Sequence, residues 1–192
     1  CALPISLRHA LTEVFDDGSR EQDPILFADD YYFLSPELPF ALDIDAFSTH
    51  LSAARNAQDE RQIEMAMAEY EAARATYRGD FMAQDLYADW TIAPRARFEE
   101  MYLSLLGELA NYYVDQGQYT DSIECCRQIL ARDSFREDAY RQLMRCYSRM
   151  GRRNQALIEF RNCTQVLQNE LSVAPTRETK ALYERLLARE TL

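Results

Sequence analysis

The chain has 192 residues, of which 47% are hydrophobic and 28% charged, and its formal net charge is −11. A chain of this length can bury enough apolar surface to fold without disulfides or a structural metal. The acidic balance argues against the basic surface that nucleic-acid binding requires, and no run of about 18 apolar residues could span a membrane.

The N-terminal part differs from the rest in charge and in pattern. Residues 1–50 carry ten acidic and two basic side chains, against 22 acidic and 19 basic ones in the remainder. Ser6–Phe15 is predicted as a short helix, and Ile25–Leu34 and Phe40–Ile44 as strands, the first with a small ribbon of its own around Asp29-Asp30. A helix followed by a hairpin is typical of the end of a winged-helix unit whose front part is missing.

Two helices are predicted next, over Ala46–Asn56 and Gln62–Tyr77. The tripeptide Arg78-Gly79-Asp80 that follows raises the question of cell adhesion. Gly79 stands just past the periodic pattern, where many helices end on a left-handed residue that glycine adopts without penalty. We therefore predict that Arg78 finishes the second helix, that Gly79 caps it, that Asp80 begins the exit turn, and that the tripeptide is not a receptor ligand.

A longer helix is predicted from Pro94, a residue suited to a first helical turn, to Asp115, with Gly117 closing it. From this helix onward the sequence repeats with a period of 34, so that small or apolar residues recur at fixed places and a glycine stands between two helices. The equivalent pairs are Leu109/Leu143, Tyr113/Tyr147, Gly117/Gly151, Ser122/Ala156, Ile123/Leu157, Cys126/Phe160 and Ile129/Cys163. This period is typical of tetratricopeptide repeats, which are helix–turn–helix units that stack on one another.

The spacing of Ala66, Tyr70 and Ala73 matches the second helices of both repeats, so an earlier, degenerate repeat is predicted as well. Three repeats are about the number that such an array needs in order to bury its apolar faces. After Pro175, a last amphipathic helix is predicted over Arg177–Arg189, where it would cap the open end of the stack.

The sequence offers little catalytic or metal-binding chemistry. The five cysteines form no CxxC pair, and their odd number indicates reduced thiols in an intracellular, cytoplasmic protein. His9 and His50 lie far apart without a nucleophile partner, and no glycine-rich phosphate loop occurs. We therefore predict no enzyme activity, no cofactor and no metal site. Because the chain begins with Cys1 rather than Met, we expect it to be part of a longer protein.

Several segments together resemble the bacterial transcriptional activation domain of the Streptomyces antibiotic regulatory protein type, preceded by the end of a winged-helix domain. They are LRHAL, YYFLSPELPFALDIDAF, YRGDFMAQDLYADW, PRARFEEMYLSLLGELA, GQYTDSIECCRQILARDSFREDAYRQLMRCYSRMGRRNQAL and ELSVAPTRETKALYE, which cover nearly the whole chain. The resemblance implies an intracellular bacterial regulator whose helical domain contacts the transcription machinery or sibling domains. It also makes Gly79, Trp90, Gly117 and Gly151 structural family positions. In the wing, Asp29 and Asp30 replace the basic residues that the family tends to carry, although Arg8 could reach a phosphate.

Two features of the helical part have functional content. Trp90, the only tryptophan, is predicted to pack where the Pro94 helix meets the preceding segment, with an exposed anchor for a partner as the alternative. Arg141, Arg145 and Arg149 are spaced by four and share one helix face. By resemblance to other tetratricopeptide repeats, these positions face a concave groove, to which Arg152, Asn111 and Asp115 are also assigned.

The arginine row has two interpretations. Either Glu137, Asp138 and neighbouring carboxylates neutralise it, or it binds an acidic peptide or an acidic sibling domain. One candidate partner is the acidic N-terminal segment of the chain itself.

The sequence therefore predicts an all-α, tetratricopeptide-like array of about seven helices at 46–192, behind a winged-helix remnant at 1–45 that holds a small helix and a β-hairpin. The predicted function is protein binding in a transcriptional regulator, with RNA polymerase components, sibling domains or a second copy as partners. DNA would be contacted only through a complete winged helix, and no membrane is involved. The alternatives are a general scaffold or dimerisation module without a role at promoters and an accessory domain of an enzyme.

Overall fold

The computed structural model describes residues 25–28, 31–36, 41–84 and 87–188. The chain divides into two compact units, Cys1–Leu42 and Asp43–Leu192. The predicted helix Ser6–Phe15, with Arg8 and His9, lies outside the described residues, as do Asp29 and Asp30. The assignment of the first unit to a winged helix stays a prediction.

The first unit contains an antiparallel hairpin. Strand β1 (Ile25–Ala28) pairs with β2 (Tyr31–Leu34) in a register that places Ile25 opposite Leu34 and Ala28 opposite Tyr31. The predicted ribbon within Ile25–Leu34 is therefore confirmed. Ile25 is buried, whereas the other strand residues are exposed.

The predicted strand Phe40–Ile44 is wrong, because a helix begins at Asp43. Ile44 donates its backbone N–H to the Asp43 carboxylate (2.9 Å), which satisfies one of the free donors of the first turn. Phe47 and Leu51, both buried, continue the apolar pattern with helical spacing. This longer pattern outweighs the short alternation that suggested a strand.

The second unit is helical, and within the described ranges it has seven α-helices. They are α1 (Asp43–Asp59), α2 (Ile63–Thr76), α3 (Asp89–Asp115), α4 (Tyr119–Arg132), α5 (Glu137–Arg149), α6 (Arg153–Val166) and α7 (Arg177–Leu187), with a π-helical segment Leu167–Leu171 that continues α6. Short connections join α1 to α2, α3 to α4 and α5 to α6 as antiparallel pairs. The second helix of each pair contacts the next element, α2 packing on α3, α4 on α5 and α6 on α7. The predicted architecture of three stacked pairs and a capping helix is confirmed.

Most repeat-equivalent positions share the same burial, with buried Cys126 and partly buried Phe160 as an exception. Ala66, Ser122 and Ala156, one in the second helix of each pair, are completely buried. Ile129 and Cys163, another equivalent pair, are buried as well. Since a small side chain lets two helices approach closely, the recurrence of small residues fixes the same packing in each pair.

Glycine ends two of the helices. Gly117 and Gly151 both have φ of +72°, in the left-handed region. After α3, the Gln118 N–H reaches the Tyr113 carbonyl (2.7 Å) and the Gly117 N–H reaches the Val114 carbonyl (3.0 Å). The same pair of bonds recurs after α5, so both helices end in a Schellman motif.

The predicted cap at Gly79 is wrong. Helix α2 ends at Thr76, and the N–H of the next residue, Tyr77, bonds to the carbonyls of Ala73 and Arg74 (both 3.3 Å). Gly79 has φ of +157°, far from the left-handed value of a capping glycine. Arg78 therefore lies outside the helix.

The predicted start of the long helix at Pro94 is also wrong, because α3 begins at Asp89. The Ala88 carbonyl accepts both the backbone N–H and the side-chain hydroxyl of Thr91 (2.8 Å each), so a first turn forms before the proline. Pro94 is therefore the sixth residue of α3 and lies inside the helix, where its missing N–H removes one hydrogen bond of the helical ladder.

Helix α7 covers the end of the stack, and its predicted start at Arg177 is confirmed. Leu182 and Leu186 are buried in one cluster with Met144 and Ala156, and the Phe160 and Tyr183 rings stack at 3.9 Å. The four described cysteines, Cys125, Cys126, Cys146 and Cys163, are free and buried. In the described part of the chain, no helix is long and apolar enough to cross a membrane.

Candidate functional site: a basic face on α5

The candidate site lies on the first helices of the second and third pairs. Helix α3 contacts α5, and α5 contacts α7, so these helices lie side by side. Asn111 and Asp115 are on the exposed side of α3, and Arg145 and Arg149 are on the exposed side of α5. We call Arg145 and Arg149 the basic face.

Arg141, the first residue of the arginine row, is already bound within the chain. Its guanidinium donates to the Thr179 hydroxyl (3.0 Å) and lies 3.4 Å from the Glu178 carboxylate, both on α7. Its side chain is 17% exposed. Arg141 therefore attaches α7 to α5, and its charge is balanced.

The carboxylates predicted to balance the row are used elsewhere. Asp138 pairs with Arg136 (3.0 Å). Glu137 accepts the Thr176 N–H (2.9 Å) and the hydroxyls of Thr176 (2.7 Å) and Thr179 (2.6 Å), so it caps the N-terminus of α7. Burial opposes ionisation of Glu137, but these hydrogen bonds outweigh it and hold its pKa below the ordinary value.

Arg145 has no acidic partner within salt-bridge distance among the described side chains. Its Nη1 donates to the Gln142 carboxamide oxygen (3.3 Å), and the Gln142 nitrogen donates to the Asn111 side chain (3.3 Å). Loss of hydration, and then the charges of Arg141 and Arg185, lower the pKa of Arg145 below its ordinary value. Arg145 is thus held in place by neutral groups, beside like charges.

Arg149, Arg152 and Asp115 are exposed, and they make no ion pair with any residue that the structure describes. Arg153, which sequence reasoning did not assign, donates to the carbonyls of Leu186 (2.8 Å) and Leu187 (3.0 Å). It thereby satisfies the C-terminal end of α7. The adjacent arginines thus differ in role: Arg152 is exposed at the surface, and Arg153 stabilises the end of α7.

A second basic region differs from the basic face in that its charges are balanced. An open cleft of about 530 Å³ lies between the N-terminal ends of α5 and α7. Arg136 in this cleft pairs with Asp138 and, at 3.4 Å, with Glu100. The cleft offers an anion little unbalanced charge.

The Arg78-Gly79-Asp80 segment is held by contacts within the chain. Asp80 pairs with Arg132 (2.6 Å) and accepts the Tyr77 hydroxyl (3.2 Å). The Arg132 guanidinium lies 5.3 Å from the ring centres of Tyr77 and Tyr102, which stack at 4.0 Å. Asp80 therefore has a structural partner, which is consistent with the prediction that the tripeptide is not a receptor ligand.

The predicted packing of Trp90 is wrong. The indole is 61% exposed, and it approaches the Phe81 ring edge-on, with 6.2 Å between the ring centres. The early start of α3 places Trp90 in the first helical turn, where the neighbouring Thr91 is buried and Trp90 faces solvent. Arg8, the predicted contact to the DNA backbone, lies outside the described residues.

Comparison with known proteins identifies the family of the helical unit. Residues 42–187 match the family model described as bacterial transcriptional activator domain. The regulatory protein DnrI of Streptomyces peucetius is 27% identical over 150 residues, which are 78% of this chain and 55% of DnrI.

Two solved structures share the fold. One is Mycobacterium tuberculosis EmbR in complex with a low-affinity phosphopeptide, with a TM-score of 0.75 at 20% identity, covering 100% of this chain and 49% of the EmbR chain. The other is the C-terminal tetratricopeptide-containing domain of a putative FK506-binding protein from Plasmodium falciparum, with a TM-score of 0.55 at 14% identity over 77% of this chain and 89% of that one. The chain spans about half the length of DnrI and EmbR. Since the family model covers most of the chain, the chain belongs to the bacterial transcriptional activator domain family.

Proposed function

We propose that this chain is the protein-binding domain of a bacterial transcriptional regulator and that it acts by binding rather than by catalysis. Its partners are components of RNA polymerase, sibling domains of the same regulator, or a second copy. DNA contact belongs to a complete winged helix in the longer protein. Membership of the family and the stacked helix pairs support this proposal.

The observation that carries the proposal is the unbalanced charge of Arg145. Its hydrogen-bond partner is neutral, and Arg141 and Arg185 disfavour its positive charge. A partly desolvated cation with spare N–H donors gains free energy when an anionic group approaches it. The basic face is therefore suited to an acidic partner.

We propose roles for the other predicted groove residues as well. Asn111 positions Arg145 through Gln142, and Arg149 adds a second cation one helical turn further along α5. Arg152 is a further contact residue, whereas the exposed Asp115 carboxylate would repel an acidic group and limits how far the partner extends along α3. Arg141 is a positioning residue, because α7 already occupies its guanidinium.

The test is the double variant Arg145→Ala/Arg149→Ala in the full-length regulator. The matched control is Arg55→Ala/Arg97→Ala, which removes two exposed arginines that form no ion pair within the described ranges. We expect the test variant to lose affinity for purified RNA polymerase or for the isolated sibling domain, and to lower transcription from the target promoter. The wild-type affinity should fall as salt is added.

Binding to promoter DNA should be the same in wild type, test variant and control. A test variant that keeps its fold, its transcription output and its affinity for each partner would refute the basic face as the binding site. Loss of self-association in sedimentation, with transcription unchanged, would instead identify a dimerisation module.

A further inference from the structure

Gly107 occupies a position that no contact in the described part of the chain explains. It lies in the middle of α3, where glycine is less favourable than alanine because its backbone loses more freedom on folding. Of the four glycines in the described residues, Gly79, Gly117 and Gly151 have positive φ, whereas Gly107 does not. Backbone conformation therefore does not require glycine here.

Packing does not require it either. Among the residues that the structure describes, a Cβ at Gly107 would meet no heavy atom within 4 Å beyond its own stretch of helix. Mid-helix glycines commonly allow another backbone to approach closely, but no neighbouring element of the described chain does so. The space above Gly107 is open.

The position of Gly107 connects it to the basic face. Gly107 lies one helical turn before Asn111, whose side chain bonds to Gln142 of α5. Gln142 also reaches the Ala110 carbonyl (3.5 Å) and accepts a hydrogen bond from Arg145. The line of contact between α3 and α5, which we call the seam, thus has exposed backbone at Gly107 on the α3 side. On the α5 side it has the Arg145 guanidinium, which has no acidic partner in the described chain.

We propose that a carboxylate-rich segment of a partner protein lies along this seam, with its backbone against Gly107 and its acidic side chains at Arg145 and Arg149. The inference rests on the proposed function and specifies how the partner is held. Charge complementarity selects an acidic occupant, because both cations lack acidic partners in the described chain. The absence of a side chain at Gly107 favours a polypeptide over a small anion. A small anion bound to Arg145 on α5 would gain nothing from exposed backbone on α3.

The experiment compares Gly107→Ala and Gly107→Leu with wild type, using fluorescein-labelled decaglutamate as the probe and fluorescence anisotropy as the readout. Ala68→Leu is the control, since it adds a similar bulk at an exposed position on α2. Melting temperature is measured for every variant. We expect Gly107→Ala to raise the melting temperature, because alanine favours the helix and meets no neighbour.

Gly107→Leu should keep at least the wild-type melting temperature and weaken probe binding about tenfold, the effect of forcing a side chain into an occupied space. The control should bind as wild type does. If Gly107 had only a structural role, Gly107→Leu would bind the probe as wild type does. Weaker probe binding by a variant that is at least as stable as wild type therefore indicates that a partner lies against Gly107.

The outcomes also separate this inference from the proposed function. If Arg145→Ala/Arg149→Ala abolishes binding while Gly107→Leu binds as wild type does, the basic face stands and the placement at Gly107 is refuted. If the arginine variant binds as wild type does, the proposed recognition of acidic groups fails. If decaglutamate does not bind to wild type, the carboxylate-rich occupant is refuted.

Discussion

The ion pair between Arg127 on α4 and Glu159 on α6 gives the sharpest stability prediction. Glu159 is 3% exposed and accepts hydrogen bonds from both terminal nitrogens of Arg127 and from the Asn162 carboxamide (3.2 Å). Arg127 is the cation that balances this buried carboxylate. We expect Arg127→Met, which keeps most of the aliphatic stem, to leave a buried charge without its partner.

The magnitude follows from the burial of the two groups. Breaking a fully buried pair by removing one partner costs about 3–5 kcal/mol. The Arg127 side chain is 45% exposed, so water can reach one side of the pair, and Asn162 still donates a hydrogen bond. We therefore expect a loss of about 2 kcal/mol in the free energy of unfolding. For a domain of this size, such a loss lowers the melting temperature by about 4–8 °C.

The assay is urea unfolding followed by far-UV circular dichroism, with scanning calorimetry for the melting temperature. Arg161→Met is the matched control, since Arg161 is an exposed arginine of α6 without an ion pair in the described structure. The double variant Arg127→Met/Glu159→Gln should be more stable than Arg127→Met alone, because the neutral amide removes the stranded charge. Equal stability of Arg127→Met and Arg161→Met would refute the reasoning, as would a double variant less stable than Arg127→Met.

Three further predictions follow from local geometry. Gly117→Ala and Gly151→Ala should each cost about 1 kcal/mol in unfolding free energy, because both residues have φ of +72°; unchanged urea midpoints would contradict this. The hydrogen bond from Arg132 lowers the pKa of Asp80 below its ordinary value, so the stabilisation by Asp80 is present above the unfolded-state pKa and is lost as pH falls below about 4. The difference in melting temperature between wild type and Asp80→Asn should therefore shrink from pH 7 to pH 3, and a constant difference would refute it. Burial raises the pKa of Cys125 to about 11, and the other three described cysteines are buried too, so these four thiols should react with Ellman's reagent only after unfolding.

The helical architecture could be predicted because its cause is local and repeated. Apolar residues with helical spacing form one face of each helix, and the period of 34 repeats that face with the same small residues, such as Ser122 and Ala156. The glycines at 117 and 151 carry an equally local signal, since few other residues adopt left-handed backbone without cost.

Element boundaries were less predictable. Pro94 indicated a helix start, but the Ala88 carbonyl and Thr91 form an earlier turn. Gly79 indicated a cap, but α2 ends before it, and Asp80 is held instead by Arg132, which lies 52 residues further along the chain. The first turn of α3 forms without a side-chain cap that would mark it in the sequence, and the contact between Asp80 and Arg132 joins distant segments, which a local pattern does not contain.

The candidate site, too, has features that the sequence predicts and features that it does not. The sequence by itself determined that Arg141, Arg145 and Arg149 share a helix face, because a spacing of four is a property of the α-helix. Only the tertiary structure decided that α7 neutralises Arg141 through Glu178, whereas no carboxylate of the described chain comes within salt-bridge distance of Arg145. The physical reason is that the charge balance of a side chain depends on which groups folding brings within a few ångströms, and those groups come from another helix.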